Sequence, residues 1–128
     1  MRGLHIYVAQ SPTIKGMGVF ASEPIKKGDI IEVCPLILVP MKDFEHIKKT
    51  KLYYYFFEYT KQFFAVALGY CSLYNHSFEP NAQYDFDYRK KTITVKAMRA
   101  IAKDEEIFFN YNWDPKDKSP LGDWFKAA

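Results

Sequence analysis

Cysteine is scarce in this chain, Cys34 and Cys71 being the only two. Two thiols fall short of the four ligands of a structural zinc site and set out no disulfide framework, so both are expected as small buried residues and no metal is expected. Long apolar runs are missing too, and no stretch approaches the roughly 20 residues that a membrane span requires. The opening "MRGLHIYVAQ" lacks the apolar h-region and small-residue cleavage site of a secretion signal. An intracellular protein, cytoplasmic by default, is therefore expected, with nuclear or host-delivered placement left open. The Asn75-His76-Ser77 sequon then has no glycosylation route to use. Charge of one sign is not in excess either: 18 Lys and Arg stand against 15 Asp and Glu, a net +3. That balance lacks the concentrated basic stripe of nucleic-acid binders and argues against such a partner. The lysines of "KKTK" 48–51 and "RKK" 89–91 read as solvated faces or turn tips.

What the chain has in quantity is aromatic surface: 18% of its 128 residues are Phe, Trp or Tyr and 48% are hydrophobic. One domain over 1–128, with one core, is expected. "GMGVFASEPIKKGDIIEV" alternates turns and short strands. After Pro40, Phe44 and Ile47 lie at helical spacing with acids early and lysines late, predicting one short helix. "LYYYFFEY" and "QFFAVAL" suit two buried strands or a hairpin around Thr60-Lys61. "AQYDFDY" and "TITVKAM" alternate on either side of "RKK", which predicts a hairpin with Tyr84, Phe86 and Tyr88 on one face of one strand and Ile93, Val95 and Ala97 on one face of the other. "EEIFFNY" is a further strand, and the segment from Asn112 on is a loop or short helix. The class is mainly β.

The most polar triplet, Asn75-His76-Ser77, stands among aromatics and is followed by Pro80-Asn81. A Ser/His hydrolase pair is excluded because adjacent side chains on an extended segment face opposite ways and no Gly-x-Ser-x-Gly elbow is present. Asn75 offers an amide oxygen and an NH2 group, and His76 offers ring and backbone donors; the pair can bind a ligand or satisfy buried backbone at a tight crossing. Gly16 and Gly18, around Met17, let backbone approach a bulky ligand, or simply form a turn.

"KGMGVFA", "IKKGDII", "YNHSFEPN" and "AIAKDEEIFFNY", taken in this order and spacing, resemble the motifs of SET-domain protein-lysine methyltransferases. The resemblance spans most of residues 1–113. It implies a minimal SET fold of the β-clip type: small curled sheets, one or two short helices and a C-terminal segment threaded in a pseudoknot-like crossing, with 112–128 as a lid. It implies S-adenosyl-L-methionine as cofactor, contacted by Gly16, Met17, Gly18, Asn75 and His76 on one face. The substrate is then a protein with an accessible lysine, which enters from the other face.

By the same resemblance Tyr111 is the catalytic residue, its hydroxyl orienting the amine and lining the path of the methyl group with backbone carbonyls. Phe109 stands at the Phe/Tyr switch position and, with Tyr55 and Tyr70, walls the lysine channel; phenylalanine there implies methylation past the first methyl. Phe78 stands where many relatives carry a cysteine tied to zinc, so closure of the site falls to packing by Trp113, Trp124 and Phe125, which equally suit surface anchoring or a homodimer contact. Asn110 and Asp104 replace an acid and a glycine common in the family. A SET-like module that binds a lysine-bearing partner without turnover is the rival reading.

Overall fold

The structure, a computed structural model, describes residues 4–122. Among the described residues nine strands form two sheets, confirming the mainly β expectation. The first has the order β1-β2-β9-β6, built from β1 (Ile6–Gln10), β2 (Met17–Ala21), β9 (Glu106–Phe109) and the two-residue β6 (Asn75–His76). The second has the order β4-β5-β3-β8-β7, from β4 (Phe56–Glu58), β5 (Phe63–Ala67), β3 (Ile30–Pro40), β8 (Thr92–Ala97) and β7 (Ala82–Asp87).

The expected hairpin of β7 and β8 is present, antiparallel from Ala82↔Ala97 to Asp87↔Thr92. Its alternation aims Ile93, Val95, Ala97 and Tyr84 into the core. Its turn is set by Asp87, whose carboxylate accepts from the Arg89 and Lys90 N–H groups at 3.1 and 2.9 Å. β3 changes partner along its length: Ile30–Pro35 pair with β8, and Leu36–Pro40 pair with β5. Pro35, with no N–H to give a ladder, stands at that changeover, and its carbonyl accepts from Leu68.

The helix predicted after Pro40 is one turn long, α1 (Phe44–Ile47), between 3-10 turns at Met41–Asp43 and Lys51–Tyr54. Thr50 divides them: its hydroxyl donates to the Ile47 carbonyl at 2.7 Å and accepts from the Leu52 N–H at 3.2 Å. Phe44 fixes this unit to the second sheet by edge-on contacts with Phe56 and Phe64, with ring centroids 5.4 and 5.7 Å away.

The cysteines correct the sequence reading. Both are buried as expected, yet Cys34 on β3 and Cys71 in a 3-10 turn (Cys71–Leu73) form a disulfide. Their separation of 37 residues gave no local signal; the fold brings their Cα atoms to 6.5 Å, within disulfide reach. Among the described residues the one group of acids, histidines and cysteines close enough to hold a metal ion is Glu32 with these two sulfurs, and the disulfide takes away the thiolates that such a site would need.

Candidate active site

β9 lies between β2 and β6, antiparallel to the first and parallel to the second. Asn81 holds this unusual pairing in place. Its side-chain NH2 donates to the Glu106 carbonyl at 2.8 Å and to the Glu105 carboxylate at 3.1 Å, while its oxygen accepts from the Phe108 N–H at 2.8 Å. A buried amide thereby replaces strand hydrogen bonds that the short β6 is too short to supply.

Where β9 ends, Tyr111 is seized at both ends. Its backbone N–H donates to His76 Nδ1 at 3.0 Å, and its hydroxyl donates to the Tyr74 carbonyl at 2.5 Å. Accepting at Nδ1 requires a lone pair there, and burial lowers the His76 pKa, so the neutral ring is the form that fits. Burial raises the Tyr111 phenol well above the ordinary tyrosine value, with smaller contributions from Tyr55, Tyr84 and the charge of Glu106. The phenol stays protonated and acts as a donor, not a base.

The glycine bend meets the same segment. Gly16 has φ +138°, a region closed to most side chains, and its carbonyl accepts from the Ser11 N–H at 2.9 Å. Gly18 is glycine for another reason: a Cβ there would come within 2.9 Å of Asn75 Nδ2 and closer still to the Glu106 carboxylate. Asn75 Nδ2 in turn donates to the Met17 carbonyl at 3.0 Å and to Glu106 Oε2 at 2.8 Å. Gly16, Met17, Gly18, Asn75, His76 and Tyr111 are thus joined through direct contacts or single intermediaries. The set suits the expected cofactor. Backbone left uncovered at Gly16, where nothing lies within 4 Å of an added Cβ, permits close approach, the amide of Asn75 can bind an amino-acid end, and the Glu106 carboxylate lowers the potential where a cationic ligand would lie.

A cavity of about 660 Å³ opens beside Tyr111, lined among others by Tyr55, Tyr74, Tyr84, Phe109, Tyr111 and Trp113. Tyr111 borders it, and neither the glycine bend nor Asn75 and His76 do. Of the residues expected to wall the lysine channel, Tyr55 and Phe109 line this cavity. Tyr70 does not line it: it packs half-buried against the core, with its N–H 3.4 Å from the Glu32 carboxylate. Phe109 is 1% exposed, its ring 4.7 Å from Tyr84 and 5.2 Å from Tyr74. Of the expected lid, Asn112, Trp113, Leu121 and Gly122 border the cavity, and the Trp113 indole N–H reaches Asp85 at 3.2 Å. Trp124 and Phe125 lie outside the described residues.

Three polar groups escaped the sequence reading. Glu106 is buried and accepts from Ser11 Oγ at 2.8 Å as well as from Asn75. Glu32, also buried, accepts from the Tyr74 hydroxyl at 2.8 Å, and desolvation raises its pKa. Tyr74 itself supplies the carbonyl that receives Tyr111. None of the three carried a signal in the sequence: Glu106 follows another acid, Glu105, and opens its strand.

Comparison with known proteins agrees with this arrangement. The SET domain profile matches residues 16–112. A Schizosaccharomyces pombe protein named histone-lysine N-methyltransferase, H3 lysine-37 specific, is 34% identical over 98 residues, 76% of this chain and 67% of that protein. A Plasmodium falciparum protein solved as a candidate histone methyltransferase superposes with TM-score 0.67 at 36% identity, over 83% of this chain and 96% of that one. A chain of a humanized Chaetomium thermophilum Polycomb Repressive Complex 2 bound to the inhibitor GSK126 superposes with TM-score 0.73 at 21% identity, over 86% of this chain and 15% of that one, a likeness of fold alone. With the profile covering most of its length, the chain belongs to the SET-domain family of protein-lysine methyltransferases.

Proposed function

We propose that this protein transfers methyl groups from S-adenosyl-L-methionine to a lysine side chain of a protein, and continues past the first methyl. The observation that carries the reading is Tyr111, whose hydroxyl is anchored on the Tyr74 carbonyl, whose backbone N–H is held by His76 beside Asn75, and whose ring borders the aromatic cavity. The cofactor, when bound, supplies a methyl group made electrophilic by its sulfonium.

The chain's own contribution is to neutralise, aim and enclose the amine. A lysine with its ordinary pKa near 10.4 costs on the order of 4 kcal/mol to deprotonate at neutral pH. Tyr55, Tyr84 and Phe109 surround it with a low-polarity wall that disfavours the ammonium. Tyr111 spends its one proton on the Tyr74 carbonyl, so its hydroxyl oxygen and that carbonyl both face the amine as acceptors for its N–H groups and restrict its approach. Phe109 adds no hydroxyl to hold a water against the amine, so a methylated amine keeps room to turn.

A histone lysine is the first substrate to try, since both the fission yeast and the malarial relatives carry that name. Location inside the cell, and a homodimer built on the exposed Trp113, belong to the same proposal. The test is incubation with labelled S-adenosyl-L-methionine and histones or a whole-cell extract, read by mass spectrometry. Labelled lysine should form with wild type and fall by about tenfold or more in Tyr111→Phe, which strips the hydrogen bond from a buried carbonyl. Binding of a lysine-bearing protein with no label transferred would favour the binding-module reading instead.

A further inference from the structure

We propose that Glu106 is a positioning residue that fixes the Asn75 amide with its oxygen, not its nitrogen, presented to the amino group of the bound cofactor. This rests on the reading of the site as a cofactor site.

The argument is one of hydrogen-bond accounting. An asparagine amide has two N–H donors and one acceptor oxygen. Both donors of Asn75 are used inside the protein, one on the Met17 carbonyl at 3.0 Å and one on Glu106 Oε2 at 2.8 Å. No described residue donates to its Oδ1. A carboxylate accepts only, so Glu106 can face the NH2 side of that amide but not its oxygen. Turning the amide over would set oxygen against two acceptors and lose two hydrogen bonds in a buried place.

Glu106 is itself held. Its other oxygen accepts from Ser11 Oγ at 2.8 Å, and Ser11 is 4% exposed. The Ser11 hydroxyl also receives the Thr13 and Ile14 N–H groups at 3.3 Å, which commits its own proton to Glu106 or to Thr13. Gly18 lies so close that a side chain could not intervene. Among the described residues no lysine or arginine pairs with Glu106. A buried carboxylate without a cation has a strong reason to sit beside a site for cations, and the cofactor brings two, an ammonium and a sulfonium. A lysine methyl donor's amino end is an N–H donor, which an amide oxygen accepts and an amide NH2 repels.

The test measures equilibrium binding by calorimetry, with no turnover involved. The two probes are S-adenosyl-L-methionine and its analogue with hydrogen in place of the α-amino group. Wild type should prefer the natural cofactor by about tenfold or more, the worth of a hydrogen bond to a charged group. Glu106→Gln keeps an acceptor for Asn75 by turning its own NH2 to Ser11, and should retain most of that preference. Glu106→Met fills the space without an acceptor and should bring the two affinities within about threefold. The proposal falls if wild type binds both probes alike, if Glu106→Gln loses the preference, or if a folded Glu106→Met keeps it. Failure of wild type to bind S-adenosyl-L-methionine at all would instead remove the cofactor reading, and this proposal with it.

Discussion

Replacing Gly18 by alanine adds one methyl group at the most crowded point of the site. The new Cβ would lie 2.9 Å from Asn75 Nδ2, well inside ordinary contact, and closer still to Glu106. Glu106 cannot retreat cheaply, because Ser11 and Asn75 both hydrogen-bond it in a buried setting. Releasing one of those charge-assisted bonds costs roughly 1.5–3 kcal/mol, and overpacking by a single methyl adds about 1–3 kcal/mol. A loss near 3 kcal/mol is expected, which for a small domain lowers the urea midpoint by more than about 1 M. Gly28→Ala is the control: its φ is +89° and nothing lies within 4 Å of the added Cβ, so only backbone strain of about 1–2 kcal/mol remains. Parallel urea titrations followed by tyrosine and tryptophan fluorescence decide the matter. Gly18→Ala unfolding within about 0.3 M of wild type, or no sooner than Gly28→Ala, would refute the crowding argument.

Acid should loosen the fold through His76. Burial lowers its folded-state pKa, so its contribution is fully present above the unfolded value near 6.5 and is lost as pH falls through the lower folded value. Urea midpoints between pH 8 and pH 5 should therefore drop more steeply for wild type than for His76→Gln, and parallel curves would count against a neutral acceptor at this position. Phe109→Tyr should shift products toward monomethyl-lysine in mass spectra, because the added hydroxyl projects from a ring that lines the cavity; an unchanged product ladder would dismiss the switch. Cys34→Ser, or a reductant, should destabilise by up to about 4 kcal/mol, the loop-closure value for a separation of 37 residues. Identical melting with and without reductant would show that the bond adds nothing.

Much of the sheet was legible because its physics is local. The β7 and β8 strands alternate strictly, and Asp87 writes its own turn. The glycine bend, Asn75, His76 and Tyr111 were legible through chemistry and order, and contact between them needed the fold. β6 was invisible, since two residues carry no period, and it exists only because Asn81 holds β9 beside it. Glu106 was invisible for the opposite reason. An acid next to Glu105 reads as solvated surface, and only the crossing of β2, β6 and β9 turns it inward. Tyr55 and Tyr70 share a composition that permits several registers. The tertiary packing alone sends one to the cavity and the other to the core. The expected helix was shortened by Thr50, whose hydroxyl competes with the backbone.

The place of β9 has a consequence for how the molecule is made. Its partner β2 is translated well before it, with the whole second sheet made in between. Until β9 is made, β2 lacks its neighbour on one side, and the nascent chain must close the loop of residues 22–105 before Tyr111 can meet His76 and the glycine bend. Folding is accordingly expected to be slow for a protein of this size, with Tyr111 arriving as β9 seats between β2 and β6.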